Sequence, residues 1–293
     1  MKVLVAGGTG QVGRELSQCL ADELIESIPL SASGLDITHL EDVQHVLDTE
    51  QPNFVVNTAA YTHLEQAEQH PEACYVANRD GPKNLAMACA ERNIPLLHLS
   101  SDYVFDGAKS GAYTEDDEVA PIGVYGDSKW QGEEAIREHC DQHIIFRVSW
   151  VFSSWRNSFI RQVLRAAKDG SDMAYVADKQ GCPTPATDIA RVVLAVLKQL
   201  SCGAQVWGTY HYCGADVVSR HGFVEAVLAE ACAYEDLSQV EVAALNADDA
   251  VVHDLYPVDA VLDCRKLFNT FGIKQRPWRG ALTELVKELY QCQ

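Results

Sequence analysis

The chain has 293 residues, of which 47% are hydrophobic and 22% charged, a balance ordinary for a globular protein with a buried sheet. Its 42 acidic residues against 23 Lys and Arg leave a formal net charge of -19. That charge repels phosphate backbones and anionic lipid surfaces and so argues against nucleic acid and membranes as partners, while a helix N-terminus with a few local cations can still hold a small anion.

The chain opens with an apolar run, Lys2 to Ala6, that ends in glycines and is followed by a helical pattern from Gln11 to Asp22 with apolar Val12, Leu16, Cys19 and Leu20. A second strand is expected at Ile25 to Leu30. Thr38-His39-Leu40-Glu41 has the form of a capping box opening a helix to about Asp48, and Phe54 to Asn57 reads as a third strand. A helix from about Glu72 to Arg92, a strand at Pro95 to Ser100, a helix after Tyr125 and a strand at His143 to Ser149 complete a repeated β-α-β pattern. Such alternation predicts a parallel sheet with helices on both faces and ligands beyond the C-terminal strand ends. Beyond Trp150 come a helix from Asn157 to about Lys168, a loop holding Gly181-Cys182-Pro183-Thr184-Pro185, a helix from Asp188 to Leu200 and a strand at Val206 to Tyr212. Helices near Phe223 to Ala233 and Ala281 to Tyr290 follow, and the charge run Glu115-Asp116-Asp117-Glu118 reads as a solvated loop.

Gly7-Gly8-Thr9-Gly10-Gln11-Val12-Gly13 lies between the first strand and the first helix, the context in which glycines let the backbone approach a pyrophosphate. This predicts an α/β fold, a doubly wound parallel Rossmann sheet with a smaller C-terminal substrate-binding domain. Residues 1–151, completed by 183–215, are assigned to the NAD(P)-binding part, and 152–182 with 216–293 to the smaller one. No acid follows the second strand at Pro29-Leu30-Ser31-Ala32-Ser33, so a 2′-phosphate would not be repelled and NADPH is expected, with NADH as the alternative. Asp36 and Ile37 would border the adenine.

Tyr125 and Lys129 stand four residues apart, on one face of a helix, where an ammonium can lower the pKa of a phenol and make it a general acid. Ser101, at the end of the fourth strand, can orient a carbonyl oxygen there. Ten cysteines without a C-x-x-C pair, no H-E-x-x-H, and no run near the ~20 apolar residues of a membrane helix point to a cytoplasmic protein with reduced thiols and no metal. No apolar targeting segment precedes the first strand.

With these motifs assembled, the chain resembles the extended short-chain dehydrogenases and, within them, the dTDP-4-dehydrorhamnose reductase family. The resemblance spans nearly the whole chain and includes Asn57-Thr58-Ala59-Ala60-Tyr61-Thr62, Ser100 to Gly107, Arg147-Val148-Ser149-Trp150-Val151-Phe152 and Gly181-Cys182-Pro183-Thr184. It implies cofactor contacts at Gly7, Gly10, Gln11, Val12, Gly13, Ala59, Ala60, Tyr61 and Lys129, and a sugar facing Thr62, Ser101, Asp102, Tyr103, Tyr125 and Trp150. The implied reaction is hydride transfer from NADPH to the C4 carbonyl of a 4-keto-6-deoxy sugar nucleotide, with Tyr125 as acid and Ser101 and Lys129 beside it.

Three departures stand out. Ser101 replaces the usual threonine. Tyr256 and Asp259 stand where the family carries an arginine and an asparagine, and Lys274, Arg276 and Arg279 are nearby cations that could compensate. Glu15 matches a residue of the metal-linked dimer of some relatives without convincing partners, so a homodimer is left open. Two other functions stay open as well: an epimerase or dehydratase with retained NAD, and a dinucleotide-binding regulatory subunit without turnover.

Overall fold

The computed structural model describes residues 1–155, 158–246 and 259–291. In chain order the first half comprises β1 (Lys2–Ala6), α1 (Gln11–Asp22), β2 (Glu26–Leu30), α2 (Leu40–Glu50), β3 (Phe54–Asn57), α3 (Leu64–Gln69), α4 (Pro71–Tyr75), a π-helical turn at Val76–Asp80, α5 (Gly81–Glu91), β4 (Leu96–Ser101) and a 3-10 turn at Asp102–Val104. The second half adds α6 (Val124–His139), β5 (His143–Val148), β6 (Val151–Phe152), α7 (Phe159–Lys168), β7 (Met173–Val176), β8 (Gln180–Gly181), β9 (Thr184–Pro185) and α8 (Ala186–Ser201). After these come β10 (Gly208–Tyr212), β11 (Val218–Ser219), α9 (Arg220–Ala231), β12 (Val242–Leu245), α10 (Arg265–Phe271) and α11 (Trp278–Gln291).

Six strands form one parallel sheet in the order β10-β5-β4-β3-β1-β2. The chain steps outward from β1 to β2 and then returns to β3 on the other side of β1, so the strand order reverses between β1 and β3. Ligands of such sheets bind in the crevice that this reversal opens. Successive side chains of a strand face opposite ways, and the cores divide accordingly. Val3, Val5, Val56, Ile144 and Phe146 pack with α1, α8 and α10 on one face, while Leu4, Ala6, Val55, Leu96 and Ile145 pack with α2, α5 and α6 on the other. A further core joins Phe152, Ile160, Phe223, Trp278 and Leu282 of β6, α7, α9 and α11.

Two local expectations are corrected. Thr38 does not cap α2: its hydroxyl donates to Asp36 Oδ1 at 2.7 Å, and the residue at the N-cap is His39, without a side-chain cap. The helix expected from Glu72 to Arg92 is interrupted by the π-helical turn. Pro82 has no N–H and its ring crowds the carbonyl four residues back, that of Asn78, so the regular ladder cannot pass. That carbonyl presses on Gly132 of α6, where no β-carbon would fit.

Candidate active site

The glycine loop follows from the pairing of β1 with β3, which sets Ala6 opposite Asn57. Gly7 has φ +77°, and a β-carbon there would sit 2.5 Å from the Ala59 nitrogen. A β-carbon on Gly13 would sit 2.8 Å from Gly8 Cα. Thr58 ties the two strand ends together by donating to the Ala6 and Gly7 carbonyls at 2.8 and 3.1 Å. Helix α1 then starts at Gln11 with no side-chain cap and no acid in its first turn, leaving first-turn N–H groups to a ligand. Gly7 and Gly13 thus let the loop pack directly on the backbone of β3's end and of the loop itself, and the uncapped first turn of α1 suits a pyrophosphate. Val12 is buried, Gly10 and Ala60 are exposed, and Gln11 accepts a hydrogen bond from Ser153 Oγ at 2.6 Å.

Gly7, Gly10, Gln11, Val12, Gly13, Ala59, Ala60 and Tyr61 are thus brought to one crevice, with Thr62 exposed just beyond. Of the two residues expected beside the adenine, Asp36 is half-buried and Ile37 buried. The Asp36 carboxylate accepts from the Thr38 hydroxyl and N–H, which holds its pKa below the usual value, and Ile37 packs into the core against Gly81.

The second half of the site sits at the C-terminal ends of β4 and β5, where Ser101 lies opposite Val148. Ser101 Oγ donates to Asp102 Oδ1 at 3.0 Å, and Ser149 Oγ donates to Asp102 Oδ2 at 2.7 Å. Burial raises the Asp102 pKa to about 6, against the two serine hydrogen bonds and the positive charge of Arg220. The Tyr125 ring meets that of Tyr103 edge to face at 5.4 Å. Gly126 permits this, since a β-carbon there would strike the Tyr103 carbonyl. Burial pushes the Tyr125 pKa up to about 12, and its hydrogen bond with Ser101 works the other way.

Trp150 follows β5 with φ +40°, a backbone region that bulky residues rarely occupy and that tends to mark functional positions. Its ring is covered on one side by the Arg220 guanidinium, 3.8 Å from the centroid, and the same guanidinium lies 4.8 Å from the Phe159 ring.

Lys129 is turned otherwise than the helix spacing suggested. Its Nζ donates to the Leu99 carbonyl at 2.7 Å and lies 3.2 Å from His98 Nε2. Burial lowers its pKa to about 8, with Glu133 and Cys74 opposing. Asn78, on the π-helical turn, braces this region: its Oδ1 accepts from the Tyr61 N–H at 2.8 Å and its Nδ2 donates to Ser128 Oγ at 3.0 Å.

Sequence reasoning quoted Asn57 within a motif but gave it no role, and passed over Asn78, His98 and Arg220. Asn57 and His98 look like strand interior, and nothing local marks Arg220, which opens α9. Of the departures, Tyr256 lies outside the described residues, whereas Asp259 Oδ1 accepts from the Gln180 N–H at 2.8 Å. Of the nearby cations, Arg276, largely exposed, lies 3.6 Å from Asp188, and Lys274 and Arg279 lie over Phe268 and Trp278. The acidic run is only partly solvated, since Glu115 accepts from the His211 N–H and Asp117 from Lys109 and Thr114. It lines a separate cavity of about 500 Å³ with Arg137, Arg147 and Lys266. Among the described residues no helix is long and apolar enough to cross a membrane.

The family described as RmlD substrate binding domain matches residues 1–291. A dTDP-4-dehydrorhamnose reductase of Aggregatibacter actinomycetemcomitans is 38% identical over 287 residues, covering 97% of this chain and 98% of that one. The crystal structure of a dTDP-4-dehydrorhamnose reductase from Clostridium acetobutylicum superposes with a TM-score of 0.91 at 31% identity, covering 99% of both chains. That of a dTDP-4-dehydrorhamnose reductase from Bacillus anthracis in complex with NADP gives 0.86 at 28% identity, covering 98% of this chain and 99% of that one.

Proposed function

Because the chain belongs to the family described as RmlD substrate binding domain, we propose that it is an NADPH-dependent reductase of a 4-keto-6-deoxy sugar nucleotide such as dTDP-4-dehydrorhamnose. The observation that carries the reading is the hydrogen-bonded group of Ser101, Asp102 and Ser149 at the ends of β4 and β5, with Tyr125 of α6 against Ser101. NADPH, when bound, supplies the hydride that reduces the carbonyl carbon.

The residues of the chain do the rest. Gly7 to Gly13 and the first turn of α1 hold the pyrophosphate, and Ser31 and Ser33 beyond β2 offer hydroxyls to a 2′-phosphate where an acid would repel it. Tyr125 gives its phenolic proton to the substrate oxygen as negative charge builds there. A pKa raised to about 12 keeps that proton in place at neutral pH, and the charge of Lys129, brought near, would ease its release. The Ser101 hydroxyl, turning its proton from Asp102 to the substrate, orients the same oxygen. Trp150 forms an apolar wall for the sugar ring, and Arg220, stacked on it, supplies the permanent charge that recognition of a diphosphate requires.

Purified protein mixed with NADPH and dTDP-4-dehydrorhamnose should consume NADPH and yield the 4-hydroxy product. No oxidation of either NADPH or NADH with that substrate would sink the assignment. NAD retained through purification with no net cofactor turnover would favour an epimerase or dehydratase instead.

A further inference from the structure

A chain of hydrogen bonds runs from β3 to α6 behind the crevice. The Ala59 N–H donates to Asn57 Oδ1 at 3.0 Å. This orients the amide, because a flipped Asn57 would set its own NH2 against that N–H. Asn57 Nδ2 therefore donates to His98 Nδ1 at 3.0 Å. Both side chains are fully buried, and that burial keeps the His98 ring neutral. A neutral imidazole that accepts at Nδ1 carries its proton on Nε2.

That proton points at Lys129 Nζ, 3.2 Å away, and Nζ itself donates to the Leu99 carbonyl. An ammonium there would set two donors against each other. An amine has the lone pair that the imidazole N–H needs, and every link of the chain then runs in one direction. We propose that Asn57 and His98 form a hook that favours the neutral amine of Lys129 and so lowers its affinity for a proton in the cofactor-free protein, with His98 the positioning residue and Asn57 the residue that sets its tautomer. On leaving His98, Lys129 binds its proton, drawn from solvent, more tightly.

The other titratable groups around Lys129 are Glu133 on α6 and Cys74 on α4, both of which favour the charged form, and Tyr125 one turn earlier on α6. Glu133 already takes hydrogen bonds from Arg147, Arg137 and Ser100, and burial is the first cause of the lowered lysine pKa, to which the hook adds. The bearing on turnover rests on the reductase reading; the test does not.

The test is nitrogen-15 NMR of the histidines and carbon-13 NMR of the lysine ε-carbons in the cofactor-free protein, with His98→Gln and Lys129→Met assigning the two signals. His98 should show the Nε2–H tautomer, and Lys129 should titrate lowest of the lysines. Asn57→Asp, of equal size, should convert His98 to the Nδ1–H tautomer and raise the lysine's titration by about one to two pH units, the scale of a charge-assisted hydrogen bond. The added carboxylate alone would attract the lysine, so the tautomer is the decisive reading. An Nδ1–H tautomer in the unmodified protein, Lys129 titrating with the other lysines, or an unchanged tautomer in Asn57→Asp would each overturn the proposal.

Discussion

The indole of Trp150 fills the space into which a side chain at Gly181 would grow: a β-carbon there would stand 2.5 Å from Cζ2 and 2.6 Å from Nε1. Trp150 holds φ +40° in this position, and the Arg220 guanidinium lies over its ring. Gly181→Ala should therefore displace the indole without touching the glycine loop. The expected outcome is a KM for the sugar nucleotide raised about tenfold or more, the cost of losing one well-placed aromatic contact. NADPH affinity by fluorescence titration should stay as in the unmodified protein. Equal loss of both affinities would mean that Gly181 supports the fold rather than the sugar wall.

Tyr125→Phe removes the phenolic proton and keeps the ring that packs against Tyr103. Turnover should fall by about two to four orders of magnitude, the usual contribution of a positioned acid. The thermal shift produced by NADPH should persist, because the glycine loop is intact. Turnover within a few-fold of the unmodified protein would remove Tyr125 from the chemistry.

The glycine loop could be read from the sequence because its requirements are local: a strand, a turn that tolerates φ +77° at Gly7, and a helix start within seven residues. Ser101 and Tyr125 were legible for a related reason, since the parallel pattern brings strand ends and helix starts to one edge. His98 was not. It occupies a strand position flanked by leucines, where a buried histidine looks like packing, and its significance lies in partners from β3 and α6. The apolar pattern likewise runs through Pro82 without a break, and only the clash with the Asn78 carbonyl, relieved against Gly132, turns one long helix into two pieces and a π-helical turn. Thr38 failed as a cap because Asp36, two residues earlier, competes for its hydroxyl.

In the proposed reductase, Arg220 supplies the charge that Tyr256 lacks, from its place over the Trp150 ring. Arg220→Gln should raise KM for the nucleotide sugar about ten- to a hundredfold, the worth of one charge-assisted contact to phosphate, and leave kcat within a few-fold. Arg220→Lys should recover part of the loss, since an ammonium keeps the charge but not the planar fork or the stacking. A nucleoside diphosphate used as a competitive inhibitor should weaken in parallel. An unchanged inhibition constant in Arg220→Gln would exclude contact with the diphosphate.

Glu133 anchors the sheet behind the site rather than the chemistry. It is fully buried, its carboxylate takes Arg147 Nε and Nη2 at 3.0 and 2.7 Å, and Arg137 and Ser100 complete its partners. Burial works to raise its pKa, but the two guanidiniums outweigh it and the net direction is downward. The sign follows from that direction. A carboxylate with a folded pKa below its unfolded value of about 4.3 adds stability above that pH and loses it as the pH falls through the folded pKa. Glu133→Gln leaves Arg147 buried without its counter-charge and should cost about 3–5 kcal/mol at pH 7, read from urea unfolding. Lowering the pH from 7 toward 3 should destabilise the unmodified protein more than the variant, because the variant has no carboxylate here to protonate. Equal acid sensitivity in the two would show that other carboxylates govern acid unfolding.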